Sequence, residues 1–483
     1  EDLGRGGGAA KVKLYFAGSK ERREACEALL EALDQSRLQL PLLLTVAQKT
    51  YGCMFTAEAE RMQRVKYSSW LHRQCQETLL VYADLLARRL PVDKFKDTMP
   101  SPMDLVLKLG LDPSTALFVM RPLLRRGPSE SAAAAVDLHK FAKDLLAAMP
   151  QPPKVSSVSL YATFWSLALN DIHVPKDQYE AHTQRLRKAL KDLEDTDRID
   201  PKAKEKDIRK WRDGISGDLQ RLDAEWKKQA ENLNQVKSLL DSEKASWSLE
   251  KAKGGGKGFP IFILQTCILP RCVLSAEDAV YCAKFLHLLH SLRTPALSTI
   301  LIYNLVITSV GPMVFSRTEH EAKHLGKFLA ETLDKLNNWS RNEDIFNKEC
   351  LGSPGFMNTS TQKGVNKENP VGYKEYQACT RNWHRQLCKA FTNCLDSSEG
   401  TEVHNALTIL SELVGGAFPM HDAYHAEVKQ RVAKLTTDSN HEFGNSITVM
   451  ARSINARLIS CEGSMVKTAQ KRKDKDSAGG GEK

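Results

Sequence analysis

The sequence predicts an all-α protein, an irregular α-solenoid with a projecting antiparallel coiled-coil hairpin. Three observations carry that expectation. Apolar residues recur at helical spacing from Lys11 onward, Pro91, Pro100, Pro102, Pro113 and Pro122 punctuate them, and no useful length of period-2 alternation announces a sheet. Between 176 and 253 the chain turns charge-dense and poor in aliphatics, yet keeps apolar residues alternately three and four apart. Phe259 to Val310 is the most apolar stretch, and it offers neither a nucleophile nor a paired carboxylate.

Taken in order, 1–10 (EDLGRGGGAA) is a disordered opening, and with no initial Met it reads as the start of a fragment. Residues 11–175 form a helical solenoid segment. Glu21–Leu33 aligns Ala25, Leu29, Leu30 and Leu33, Leu38–Thr50 is short and apolar, and Tyr67–Leu90 carries Trp70, Leu71, Leu79, Leu80, Tyr82, Ala83 and Leu86. Pro113–Leu123 and Ala132–Met149 continue the pattern, and short loops between amphipathic helices stack antiparallel neighbours. No fixed repeat length stands out, which favours an irregular solenoid. Ser159–Val174 then reads as one apolar helix.

Residues 176–253 are expected to form the hairpin. Tyr179, His182, Leu186, Ala189 and Leu193 mark its first helix. Leu219, Leu222, Trp226, Gln229, Leu233, Val236, Leu240, Glu243 and Trp247 mark the seam of the second, with Trp211 and Ile215 extending it. Residues 254–258 are a Gly linker. The C-terminal helical domain, 259–462, opens on the apolar stretch. Ser275 there caps a helix whose first turn holds Glu277 and Asp278, and Thr294-Pro295 ends it before a second helix, Ala296–Val310. Helices at Thr318–Leu336 and Tyr373–Leu395 flank a polar loop at Asn358–Val371. Val403–Val414 and Tyr424–Leu435 make the last regular pair, and 463–483 is a basic disordered tail.

Composition bounds the function. The 483 residues can bury about two to four cores. Hydrophobic content of 42% and charged content of 27% are those of a globular chain. No apolar run approaches a membrane span, no signal peptide is visible, and no membrane partner is expected. A net charge of +10 permits nucleic-acid contact without requiring it. Eleven scattered Cys with no CxxC pair read as reduced, mostly buried thiols of a cytosolic or nuclear protein.

Several strings also resemble a known family. LPRCVLSAEDAVYCAKF at Leu269–Phe285 and RTPALSTILIYN at Arg293–Asn304 are similar to the C-terminal region of the THO complex subunit 2 family, the large scaffold of the nuclear THO/TREX assembly. The likeness returns at Trp70–Pro91 with Ala116–Leu124, at Phe164-Trp165 with Pro175 and Tyr179, at KECLGSPGF (Lys348–Phe356) and at Trp383-His384. It runs from about Tyr67 to Leu458. The resemblance implies a non-catalytic scaffold coupling transcription to mRNA packaging and export. Its implied partners are the other THO subunits, a DEAD-box RNA helicase and mRNA export adaptors, with no cofactor. Beyond this point the family carries a long basic tail that binds nucleic acid. Here Lys467, Lys471, Arg472, Lys473 and Lys475 are the basic residues, diluted by Asp474 and Asp476 and without an interleaved aromatic.

One catalytic pattern competes. His320-Glu321-Ala322-Lys323-His324 matches H-E-x-x-H on a helix, with both His on one face, Glu321 as general base and Glu343 as third ligand. That alternative is a zinc-dependent hydrolase. Against it, the metalloprotease site needs an edge strand that the sequence does not offer, and the resembled family carries T-E-x-E-A without either His. Solvent-facing histidines are the expectation. Gly254–Gly258 lacks the Ser/Thr of a phosphate loop, and His287 and His290 are expected as satisfied partners at a packing edge.

Overall fold

The computed structural model describes residues 24, 27–52, 65–124, 137–148, 157–194, 205–248, 258–362, 365–437 and 445–467. Among them the protein is helical apart from one β-ribbon. The chain divides into two compact units at Ala148/Met149.

In the first unit, α1 (Gln39–Gly52) packs on α2 (Val65–Arg89). They bury Leu40, Leu43 and Ala47 from one helix and Leu79 and Leu86 from the other. The Tyr82 hydroxyl donates to the Gln39 carbonyl at 2.9 Å, tying the pair at its polar margin. The prolines act as the sequence suggests. Ser101 caps α3 (Pro102–Leu107) and Asp112 caps α4 (Pro113–Val119), each with Pro in the first turn, where its missing N–H costs nothing. Leu138–Ala148, α5, closes the unit with Phe141, Ala142, Leu145 and Leu146 buried.

The second unit begins with α6 (Val158–Ser166) and α7 (Leu169–Ile172), where the sequence suggests one unbroken helix. The chain turns extended at Leu167, and the carbonyls freed by the break find donors elsewhere, as described below. The sequence groups these residues with the first segment, but their partners are the helices at 271–285. Next come α8 (Lys176–Glu194) and α9 (Glu205–Glu243).

The apolar stretch folds as α10 (Gly258–Cys272), with a π-helical segment at Ile263–Ile268, then α11 (Ala276–Ser291), α12 (Thr299–Thr308) and α13 (Val310–Ser316). Ser275 caps α11 by accepting the Asp278 N–H at 3.1 Å. The α11 arc is apolar almost all round because both sides are covered: Ala279, Tyr281, Cys282, Ala283, Phe285, Leu286, Leu288 and Leu289 are all buried. At about 1.5–3 kcal/mol per large apolar side chain, this helix is a packing centre of the unit. No helix is long and apolar enough to cross a membrane among the described residues.

The long α14 (Glu319–Arg341) lies between α11 and α17 (Gly400–Leu413). Gly326 marks its crossing with α17, where a Cβ would stand 3.2 Å from the Ile409 Cα. After α15 (Glu343–Glu349), the KECLGSPGF turn docks under α12: a Cβ on Gly355 would lie 2.8 Å from the Thr299 Cβ, so only Gly fits. Phe356 then packs edge-on against Trp339, ring centroids 5.6 Å apart.

Two expectations need correcting here. The segment expected as a polar loop without a sheet is an antiparallel ribbon, β1 (Met357–Gln362) with β2 (Val365–Pro370), in register Met357↔Pro370. Its strands, MNTSTQ and VNKENP, lack apolar alternation, so their sequence carries no strand signal. After α16 (Tyr373–Leu395), α17 and α18 (Asp422–Thr437), a further helix, α19 (Asn445–Cys461), follows the pair expected to be last. Its Ile447, Ala451, Ile454 and Leu458 are all buried.

Candidate functional sites: a buried arginine, a helical seam and a basic terminus

The strings most like a known family meet at Arg271, which is 2% exposed. Its Nε donates to Asp278 Oδ1 at 2.8 Å, and Asp278 is equally buried. Its Nη1 and Nη2 donate to the carbonyls of Phe164 at 2.6 Å and Leu167 at 2.9 Å. Those are the carbonyls freed where α6 breaks, so a cation sits on the negative end of a helix. The guanidinium also lies 3.7 Å from the Tyr281 ring centroid, and the Tyr281 hydroxyl donates to the same Phe164 carbonyl at 2.8 Å. Ser275 completes the set by donating to Asp278 Oδ2 at 2.6 Å. The donors and acceptors of this site are spent on one another, and its chemistry is that of a fastening between α6, α10 and α11.

The helices expected as a hairpin lie side by side. Asn232 Nδ2 donates to Asp171 Oδ1 at 3.1 Å, while Tyr179 donates to Glu225 at 3.0 Å and its ring meets Trp226 edge-on. Asp171 lies on α7, just before α8, so the chain from 171 to 179 meets α9 first at 232 and then at 225. Along α9, Leu219, Leu222, Trp226, Gln229, Leu233 and Val236 are half-buried, and Leu240 is buried. Trp247, just past the helix, is buried as well. Charged residues fill most of the exposed positions between them. The extension at Trp211 is different: that ring is 52% exposed. At its C-terminal end α9 is anchored, with Thr163 donating to Glu243 at 2.9 Å and Lys244 donating to the Leu292 carbonyl at 2.8 Å, where α11 ends. The loop between the helices and residues 249–257 lie outside the described residues.

The H-E-x-x-H residues serve the helix that carries them. Glu321 closes a capping box: its Oε2 accepts the Thr318 N–H at 3.0 Å, and its own N–H reaches Thr318 Oγ1 at 3.4 Å. Its other oxygen pairs with Arg317 at 3.3 Å. His324 is not solvent-facing but 5% exposed, and its Nδ1 hydrogen-bonds the Val273 carbonyl at 3.0 Å. Burial holds its pKa below the usual histidine value. His320 is half-buried, with its ring centroid 4.3 Å from that of His324. Glu343 cannot be the third ligand. It starts α15, beyond the far end of α14, and the seventeen-residue helical step from His324 to Arg341 alone spans about 25 Å. Among the described residues no group of three His, Cys, Asp or Glu is placed to hold a metal ion. Glu321→Gln preserves a capping-box acceptor, so we expect a loss of less than about 1 kcal/mol in a urea melt and no change in zinc content by atomic absorption.

His290 is buried, with Nδ1 3.0 Å from Thr299 Oγ1, while His287 is half-buried. His287 is not a fully satisfied partner, since its buried Nε2 has none. The buried thiols Cys267 and Cys272 are pushed up to about 12 by desolvation and are poor nucleophiles there.

Of the basic terminus, Lys467 is described and exposed, while Lys471, Arg472, Lys473 and Lys475 lie outside the described residues. The preceding residue is fixed. Val466 donates to the Met420 carbonyl at 2.9 Å and accepts from Asp422 at 3.1 Å, forming a parallel bridge with His421. No sequence signal marks this bridge.

Comparison with known proteins agrees with these strings. Residues 153–458 match the family model Tho2, described as transcription factor/nuclear export subunit protein 2. The chain is similar to THO complex subunit 2 of Dasypus novemcinctus and of Homo sapiens, each 31% identical over 426 residues, covering 83% of this chain and 26% of the relative. It is similar also to THO complex subunit 2 of Arabidopsis thaliana, 29% identical over 465 residues, covering 88% of this chain and 25% of the relative. The chain thus spans about a quarter of the length of these relatives.

Proposed function

The chain belongs to the THO complex subunit 2 family, and on that premise we propose that it is a scaffold part of the nuclear THO/TREX assembly, without a catalytic role. It couples transcription to mRNA packaging and export by holding the other THO subunits and positioning a DEAD-box RNA helicase and an export adaptor on nascent RNA. The observation that supports this most is how the family-like strings are used. Arg271, Asp278 and Tyr281 are consumed in a buried network, and Gly355 in a tight turn, so these residues maintain a shape. A scaffold needs broad, stable helical faces.

Within this reading, the helices of the first unit contribute a stacked solenoid segment, and 176–253 form the coiled-coil hairpin. Its seam (Leu219, Leu222, Trp226, Leu233, Val236, Leu240, Trp247) faces inward, and its charged outer face and exposed Trp211 are offered to another subunit. The basic terminus adds weak, sequence-independent RNA contact. Affinity purification of the tagged chain from nuclear extract, with mass-spectrometric identification of co-eluting chains, tests the proposal. Recovery of other THO subunits is expected, and an eluate without them overturns it.

A further inference from the structure

One face of α16 carries Lys374, Arg381, Arg385 and Lys389, all exposed. Steps of seven, four and four residues keep them on one side of the helix along about 22 Å. Glu375 is the one carboxylate on this helix, and it is occupied in capping the Gly372 N–H at 3.2 Å. Arg341, at the end of α14, joins the face from the side: the neighbouring Ser340 carbonyl accepts from Tyr373 at 2.8 Å and from Gln377 at 3.2 Å.

Two features mark these cations. Several others in the unit, Lys284, Lys327, Lys335, Lys429 and Arg431, are paired, with Glu331, Glu412, Glu349, Glu462 and Asp396 respectively. Arg341, Lys374, Arg381 and Lys389 have no ion pair among the described residues, and Arg385 donates to Asn382 at 2.7 Å. The chain's basic terminus also leaves from this place. Val466 is bridged to His421, whose ring meets His384 edge-on at 5.7 Å, and His384 lies on α16 between Arg381 and Arg385. Arg381 and Arg341 are near enough to hold His421 below its ordinary pKa, after the larger effect of burial. Asp422 and Glu427 on α18, and Glu343 and Asp344 at the start of α15, are nearby carboxylates that temper the field without closing the stripe.

We propose that Arg341, Lys374, Arg381, Arg385, Lys389 and Lys467 form a track on the folded domain for the phosphate backbone of single-stranded RNA, continuous with the basic terminus. This rests on the RNA contact proposed above and extends it from the tail to a fixed surface. A tail alone contributes charge; a stripe of about 22 Å beside its root gives the strand a direction across the scaffold.

The test uses the full chain and a fluorescein-labelled oligouridylate of about twenty nucleotides, titrated at several salt concentrations. The triple variant R341A/R381A/R385A removes three contacts. Binding should weaken about tenfold or more at low salt, and the log–log salt slope should fall by about 2, at roughly 0.7 per phosphate. Because the three side chains are exposed, the thermal melt should not move. Wild-type affinity and slope in that variant overturn the track. Neutralising Lys467, Lys471, Arg472, Lys473 and Lys475 together separates the two ideas: loss of binding only there leaves the tail and removes the track. Absence of RNA binding by the wild-type chain removes both, whatever the subunit purification shows. Equal affinity for oligoglutamate, lost with the same triple variant, assigns the surface to an acidic protein segment and overturns the RNA proposal.

Discussion

Arg271→Met should destabilise the second unit by about 3–5 kcal/mol, the cost of breaking a buried ion pair by removing one partner. Arg271 and Asp278 are each 2% exposed, so no water replaces the lost donor. Met fills much of the volume but leaves a carboxylate unpaired, and it takes one of two donors from the Phe164 carbonyl and the donor from Leu167. Arg271→Lys keeps the charge, but a single ammonium cannot reproduce a planar fork that reaches Asp278 and two carbonyls at once, so most of the loss should persist. The double variant Arg271→Met/Asp278→Leu should recover part of it, because the orphaned carboxylate is then gone. Urea titrations followed by circular dichroism measure all three. A single-variant loss below about 1 kcal/mol would show that apolar packing around Phe164, Tyr281 and Phe285 holds this junction without the ion pair.

What the sequence showed of this junction, and what it hid, follows from the range of the interactions. Ser275 was legible as a cap because its partner, Asp278, is three residues away. Leu219 to Leu240 was legible as a covered stripe because spacing along one helix is local. The carbonyls left at the break of α6 are met by Arg271, more than a hundred residues later, so the apolar run read locally suggests one helix. His324 looks like a surface histidine until the Val273 carbonyl is found opposite its Nδ1. Glu343 looks close to His324 in number, but the helix from His324 to Arg341 carries the chain away before Glu343 is reached. The β-ribbon is held by backbone pairing with no apolar face in its sequence. In contrast, α19 was visible in principle: Ile447, Ala451, Ile454 and Leu458 keep the 4-3-4 spacing used elsewhere, but the exposed apolar residues Val449 and Ile459 off that stripe blur it.

The remaining large effect is a dependence on pH centred on His384, which is fully buried. Its Nε2 lies 2.8 Å from Asn337 Oδ1, and Asn337 donates in turn to the Ala417 carbonyl at 2.7 Å. With the Asn337 oxygen accepting, Nε2 carries the proton of a neutral ring. Nδ1 is buried without a partner, and the ring stacks on Phe418 at 5.7 Å. A second proton on Nδ1 would have no acceptor, and burial, then His421 and Arg341, push the pKa down to about 3. In the unfolded chain the same group titrates near 6.5. Above that value neither state binds a proton, and the stability from the neutral ring is fully present. As pH falls below 6.5 the unfolded state takes up a proton that the folded state refuses, so stability is lost until the folded pKa is reached. At pH 5 the gap of about 1.5 pH units is worth roughly 2 kcal/mol from this one group. His384→Gln keeps a donor toward Asn337 and has no such proton to bind. Its urea stability should therefore fall by about 2 kcal/mol less than wild type between pH 7.5 and pH 5, the carboxylates and the other buried histidines, His287 and His290 among them, being common to both chains. Parallel pH profiles for the two proteins would mean that His384 takes up its proton in the folded state as readily as in the unfolded one, and that Asn337 and Phe418 do not hold it neutral.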